Sequence, residues 1–120
     1  MGAFQDLAVY RRSAELADAI RGCVRAWDSI DGWSAGIQLI RAADSVAANI
    51  AEATGRWSPA DQLRFLHIAR ASVHEVQHWL ARATARELPT PTSAAEEADE
   101  LGRMLNGLIV AIKSGRINRL

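Results

Sequence analysis

The chain has 120 residues, in which fourteen lysines and arginines balance fourteen aspartates and glutamates for a formal net charge of zero. That length supports one domain around one core and leaves no room for a second. The balance removes the overall basic excess of a phosphate-tracking protein, so any nucleic-acid contact has to come from a local patch. Cys23 is the only cysteine, which excludes an internal disulfide and a cysteine-rich zinc site and fits a reducing cytoplasm. Charges punctuate the opening MGAFQDLAVYRRSAEL, and no later apolar run is long enough to span a bilayer. Neither an export signal nor a membrane span is expected.

In chain order, Phe4, Leu7, Ala14, Ala17, Ile20, Val24 and Trp27 return at helical steps and predict a first helix over roughly residues 4 to 27. Asp28 to Trp33, with Gly32, closes it. A second helix is expected from near Ser34 to Gly55, a glycine suited to a C-terminal cap. Its apolar face is Ile40, Ala43, Val46, Ala47 and Ile50; Gln38, Arg41, Ser45, Asn49 and Glu52 share the opposite face. Ser58, Pro59 and Asp61 announce a third helix by cap, preorganised first turn and favourable charge. Its stripe of Phe65, Ile68, Ala69, Ser72, Val76, Trp79 and Ala83 runs on to about Leu88, where Pro89-Thr90-Pro91-Thr92 breaks it. Ser93 with Glu96 has capping-box spacing, and Leu101, Met104, Leu105, Leu108, Ile109 and Ile112 form the fourth stripe. Strand alternation, repeats and linkers are absent. Short connections favour antiparallel neighbours, so residues 1–120 read as an all-α, up-down-up-down four-helix bundle.

The polar face of the second helix has two readings. In the structural one, Gln38, Arg41, Ser45, Asn49 and Glu52 pair with Ser72 and Glu75 of the third helix or with a neighbouring subunit, because buried polar groups need partners and such a network sets register. In the other, the same groups line a small polar site. The structural reading is preferred, since no nucleophile accompanies the carboxylates. His74-Glu75-Val76-Gln77-His78 matches HExxH on a helix, which would put His74 and His78 on one zinc ion with Glu75 beside its water. A hydrolase would still need a third ligand, and no histidine follows; Glu96 or Glu97 would serve only if the fold brought one close. Surface binding of a divalent metal by His74 and His78 is the weaker form of that reading. No cofactor is expected. Trp27, Trp33 and Trp79 read as core or interface anchors. Trp57, beside Arg56 in an interhelical break, is the best candidate for exposed recognition. The acidic group Glu96, Glu97, Asp99 and Glu100 most simply favours a helix N-terminus.

The ordered pattern Gln38-Leu39-Ile40-Arg41-Ala42-Ala43-Asp44-Ser45-Val46-Ala47-Ala48-Asn49-Ile50-Ala51-Glu52, then Arg56, Ser58, Phe65-Leu66, Ile68-Ala69, Ser72 and Glu75, resembles the four helix bundle protein family. Members of that family include proteins encoded by intervening sequences in bacterial 23S ribosomal RNA genes. A distant relative is the accessory variability protein of diversity-generating retroelements, a homopentamer that associates with a reverse transcriptase and nucleic acid. The resemblance implies a self-associating bundle, a homo-oligomer and, after that relative, a pentamer, whose family function is largely undefined. The chain departs from the family pattern at Ala53 and Ala71, where glycine is usual; alanine favours helix more than glycine does.

Three functions follow as expectations. The first is a non-enzymatic, cytoplasmic homo-oligomer acting as scaffold or adaptor for a protein or an RNA-linked element. The second is direct binding of RNA or DNA through Arg11, Arg12, Arg56, Trp57, Arg64 and Arg70 as an accessory to an RNA-linked or reverse-transcriptase element. The third, ranked last, is zinc hydrolysis at His74, Glu75 and His78.

Overall fold

A computed structural model describes residues 3–120. Four helices carry the fold. Helix α1 is Ala8–Val24, preceded by a 3-10 turn at Phe4–Asp6. Helix α2 begins at Ser29–Asp31, passes through a π-helical turn at Gly32–Gly36 and continues as Ile37–Thr54. Helix α3 is Pro59–Ala85 and α4 is Ala94–Lys113. Interhelical hydrogen bonds give the relative direction of the last pair: Gln77 reaches Asp99 while Arg70 reaches Asn106, so α4 descends as α3 rises. The chain runs up, down, up and down inside an envelope of 46 × 20 × 20 Å. No helix among the described residues is long and apolar enough to cross a membrane.

Three local features differ from the sequence reading, each for a local reason. Asp28 does not close α1 but starts α2: its carboxylate accepts the Asp31 amide at 2.9 Å, an N-cap that brings the helix start forward from Ser34 to Ser29. Gly32, expected to help close the first helix, instead opens a wide π turn that ends at Gly36. Gly36 is also a contact glycine, since a Cβ there would lie 2.6 Å from Val24 Cγ1 and 3.4 Å from Trp27 Cε3. Ser93 occupies the cap position of α4 in the left-handed region (φ 62°) and makes no side-chain capping bond, so the capping box is not formed. Ser58 does cap α3, accepting the Asp61 amide at 3.1 Å.

The core is built from small and medium aliphatics: Ile20 on α1, Leu39 and Ile50 on α2, Leu66, Val73 and Val76 on α3, Leu101 and Leu105 on α4. Alanines at 42, 43, 53, 69, 83 and 98 are buried between them, which lets the helices approach closely. On α3 the predicted Ala69, Ser72, Val76 and Ala83 are buried, but the stripe is turned towards one flank of the predicted one. Leu66, Val73 and Leu80 face inward, whereas Phe65 and Trp79 are half-buried and Ile68 is 40% exposed. Trp27 is buried and donates its indole N–H to the Pro89 carbonyl at 2.8 Å, fastening the α1–α2 connection to the α3–α4 connection.

Candidate functional site

The α2–α3 seam gathers part of the expected polar network. Ser45 and Ser72 hydroxyls meet at 2.9 Å, and the Asn49 amide donates to the Ser45 carbonyl at 2.8 Å and to its hydroxyl at 3.0 Å. Burial explains the economy of this cluster. Ser72 is buried, Ser45 and Asn49 are half-buried, and every hydroxyl in it has a neighbour. Glu52 turns instead to Arg56 on its own chain end, at 2.9 Å. Gln38, Arg41 and Glu75 are exposed at the rim and have no hydrogen-bond or ion-pair partner among the described residues. By helical register Arg41 lies one turn before Ser45, and Glu75 nearly one turn after Ser72, so in antiparallel helices they flank the same rung with opposite charge.

On the other side of α3 a polar groove runs along α4, with a volume of about 590 Å³. Val73 and Gly102 form its floor, His74 and Arg103 line it, and the Arg70–Asn106 and Gln77–Asp99 bonds, at 3.0 and 2.7 Å, cross it. His67 receives Arg70 through Nδ1 at 3.2 Å. His78 is exposed and stands edge-on to Trp79, with ring centroids 4.7 Å apart. The HExxH residues therefore sit on solvent-facing helix surface, and Glu96 and Glu97 do not join them. Among the described residues no group of three or more His, Cys, Asp or Glu is placed to hold a metal ion.

The arginines expected to meet nucleic acid are dispersed. Arg11 donates to the Gln5 and Asp6 carbonyls and so fixes the N-terminal turn. Arg12 clamps Glu97 with two bonds, at 2.9 and 2.6 Å, next to the N-terminal half of α4. That hydrogen bond holds the Glu97 carboxyl below the usual carboxylate range and raises the Arg12 guanidinium. Arg70 is committed to Asn106 and His67. Only Arg56, Trp57 and Arg64 remain together, at the α2–α3 turn.

There the C-terminal segment adds residues the sequence reading did not single out. Arg56 and Arg64 each place a guanidinium 4.5 Å from the Phe65 ring centroid, and Arg119 lies 5.3 Å from the Trp57 centroid. Arg119 also donates to the Arg56 carbonyl at 2.9 Å, and the Leu120 amide donates to Gln62 Oε1 at 2.9 Å. Gln62, fully buried, returns its amide to the Arg56 carbonyl at 3.3 Å. The signal available in sequence was one of distribution: residues 101–120 contain Arg103, Lys113, Arg116 and Arg119 and no acidic residue.

Compared with known proteins, residues 5–107 match the model of the family described as 23S rRNA-intervening sequence protein. No curated protein matches the chain. Among solved structures, a protein of unknown function from the S23 ribosomal protein family of Bacteroides thetaiotaomicron VPI-5482 superposes with a TM-score of 0.78 at 26% identity. The match covers 85% of this chain and 98% of that one.

Proposed function

This chain belongs to the 23S rRNA-intervening sequence protein family, and from that premise we propose that it is a non-enzymatic scaffold that assembles with copies of itself along the α2–α3 seam. One observation carries the reading. Arg41 and Glu75 are exposed and unpaired beside a satisfied Ser45–Asn49–Ser72 cluster, with Ile68 exposed by 40% on the same helix pair. Opposite charges that lie beside one rung without meeting let Arg41 of one copy face Glu75 of the next, a head-to-tail contact that can close into a ring. The adjoining apolar side chain supplies area that water exclusion rewards. A scaffold role is further supported by the state of the polar groups. The seam hydroxyls bond one another and accept from the Asn49 amide, so their polar capacity is spent on holding the helices together.

Light scattering after size exclusion tests the proposal. The wild-type chain is expected to give a multiple of the 13.1 kDa protomer mass, five being the number the resemblance implies. Arg41→Glu or Glu75→Arg alone should shift the protein towards the protomer, and the double exchange should restore assembly, because the pair is then reversed across the interface. A protomer mass for the wild type at micromolar concentrations overturns the reading.

A further inference from the structure

We infer that the end of the bundle formed by the α2–α3 turn and the C-terminal segment binds single-stranded nucleic acid, with a base on Trp57 and phosphates on the surrounding arginines. Trp57 is 84% exposed, although a tryptophan gains more from burial than any neighbouring residue would. One face of its ring is already covered by the Arg119 guanidinium, which leaves the other for a base. Beside it Arg56 and Arg64 are held over Phe65, so three guanidinium groups are ordered by aromatic rings before any ligand arrives. Their charges are incompletely balanced. Arg56 has Glu52 at 2.9 Å and Arg64 has Asp61 only at 3.9 Å, whereas Arg119 and the exposed Arg116 make no ion pair among the described residues.

An exposed aromatic face among ordered, under-neutralised arginines is the combination that single strands use. The ring stacks an unpaired base of any identity, and the guanidiniums follow the phosphates. The short turn between α2 and α3 offers no helix or ribbon to enter a groove, so a duplex, whose bases are stacked on each other, has nothing to give Trp57. The overall charge of zero is no obstacle. The acidic residues Glu96, Glu97, Asp99 and Glu100 lie on the first turns of α4, away from the end where α4 stops and Arg116 and Arg119 follow.

The test is fluorescence anisotropy with a labelled mixed-sequence RNA of about twelve nucleotides, a length within the usual single-strand site sizes, its DNA counterpart, and the DNA duplex of the same sequence. Saturable single-strand binding is expected, with the duplex at least tenfold weaker. Trp57→Ala should weaken the single strand about tenfold with little change in its salt dependence. Arg64→Gln and Arg119→Gln should each weaken it and lower the slope of log K against log salt by roughly 0.7. Trp33→Ala is the control, because Trp33 is equally exposed, at 79%, but stands at the opposite end of α2; it should bind as the wild type does. Thermal melts of all variants separate loss of binding from loss of fold. No single-strand binding at low salt, equal binding of the duplex, or an unchanged Trp57→Ala would each overturn the inference.

Discussion

Between α2 and α3 two serine hydroxyls meet at 2.9 Å, whereas between α1 and α4 the surface contact is a guanidinium reaching a carboxylate beside an open groove of about 540 Å³. The first seam can close because alanine, serine and valine line it, so the helices approach within reach of the shortest polar side chains. The second stays wider and needs the full length of Arg12 to cross it. Hydroxyl bonds carry no net charge and respond little to salt or acid; an ion pair of half-exposed groups responds to both. The α2–α3 hairpin is therefore the constant frame of the molecule, and the α1–α4 closure is the conditional part.

The largest test of that contrast is a charge placed inside the frame. Ile50 is 0% exposed on α2 and Val76 is 1% exposed on α3. Ile50→Asp or Val76→Asp should cost more than about 4 kcal/mol, because a buried carboxylate without a partner is among the most destabilising changes a core can take. Circular dichroism melts should show loss of the cooperative transition. A melt near the wild-type temperature would break the comparison at its root.

A smaller change asks whether α1 is loosely held along its whole length. Gly36 touches the end of α1 so closely that an added Cβ would meet Val24 Cγ1 at 2.6 Å. Gly36→Ala should lose about 1–3 kcal/mol to overpacking, even after the gain in helix propensity. Gly107, in α4, has nothing within 4 Å of such a Cβ, so Gly107→Ala should gain about 1 kcal/mol. Denaturant midpoints that rise for both variants would mean that α1 yields at Gly36 and is loose there too.

How far sequence alone reaches is seen best on α3 and at its two ends. Ser58-Pro59-Asp61 encodes a start that depends only on local chemistry, and the start is found there. The four helices and their directions were legible for the same reason: apolar spacing and short connections are local properties. The inward face of α3 was less so. Phe65, Ile68 and Trp79 are as apolar as Leu66, Val73 and Leu80, and which set points inward is decided by the α2 and α4 surfaces packed against it. The polar signature was legible as residue types and only partly as partners. Ser45, Asn49 and Ser72 meet, but Arg41 and Glu75 find no partner among the described residues. The basic end was hidden because it joins residues 56, 64 and 119, and only the fold brings the last of these to the first two.

The contrast sharpens with a double-mutant cycle at the constant seam. Ser45→Ala and Ser72→Ala should each cost about 1 kcal/mol, with most of that shared, because either change removes the same hydroxyl pair. The coupling, read from urea midpoints, should be unchanged between low and high salt. A coupling that vanishes at high salt would show that the seam depends on the neighbouring charges instead.

The smallest effect belongs to Arg12 and Glu97, and its sign depends on pH. The Arg12 hydrogen bond holds the folded-state pKa of Glu97 below its ordinary value, with the Arg12 charge adding to this and burial opposing it. The folded chain thus keeps the carboxylate ionised to lower pH than the unfolded chain does. Stability from this pair is fully present above the unfolded carboxylate pKa, roughly pH 4, and is lost as pH falls through the lower folded value. The side chains are 39% and 30% exposed, so water and salt screen the pair and its contribution should be small. Glu97→Gln should accordingly lower stability slightly at pH 7, converge with the wild type towards pH 2, and lose most of its effect in molar salt. The Ser45–Ser72 cycle, run at the same pH values, should not move in parallel. A Glu97→Gln deficit that persists undiminished in acid would mean that α1 and α4 are joined there by packing, and the distinction between a constant and a conditional seam would fail.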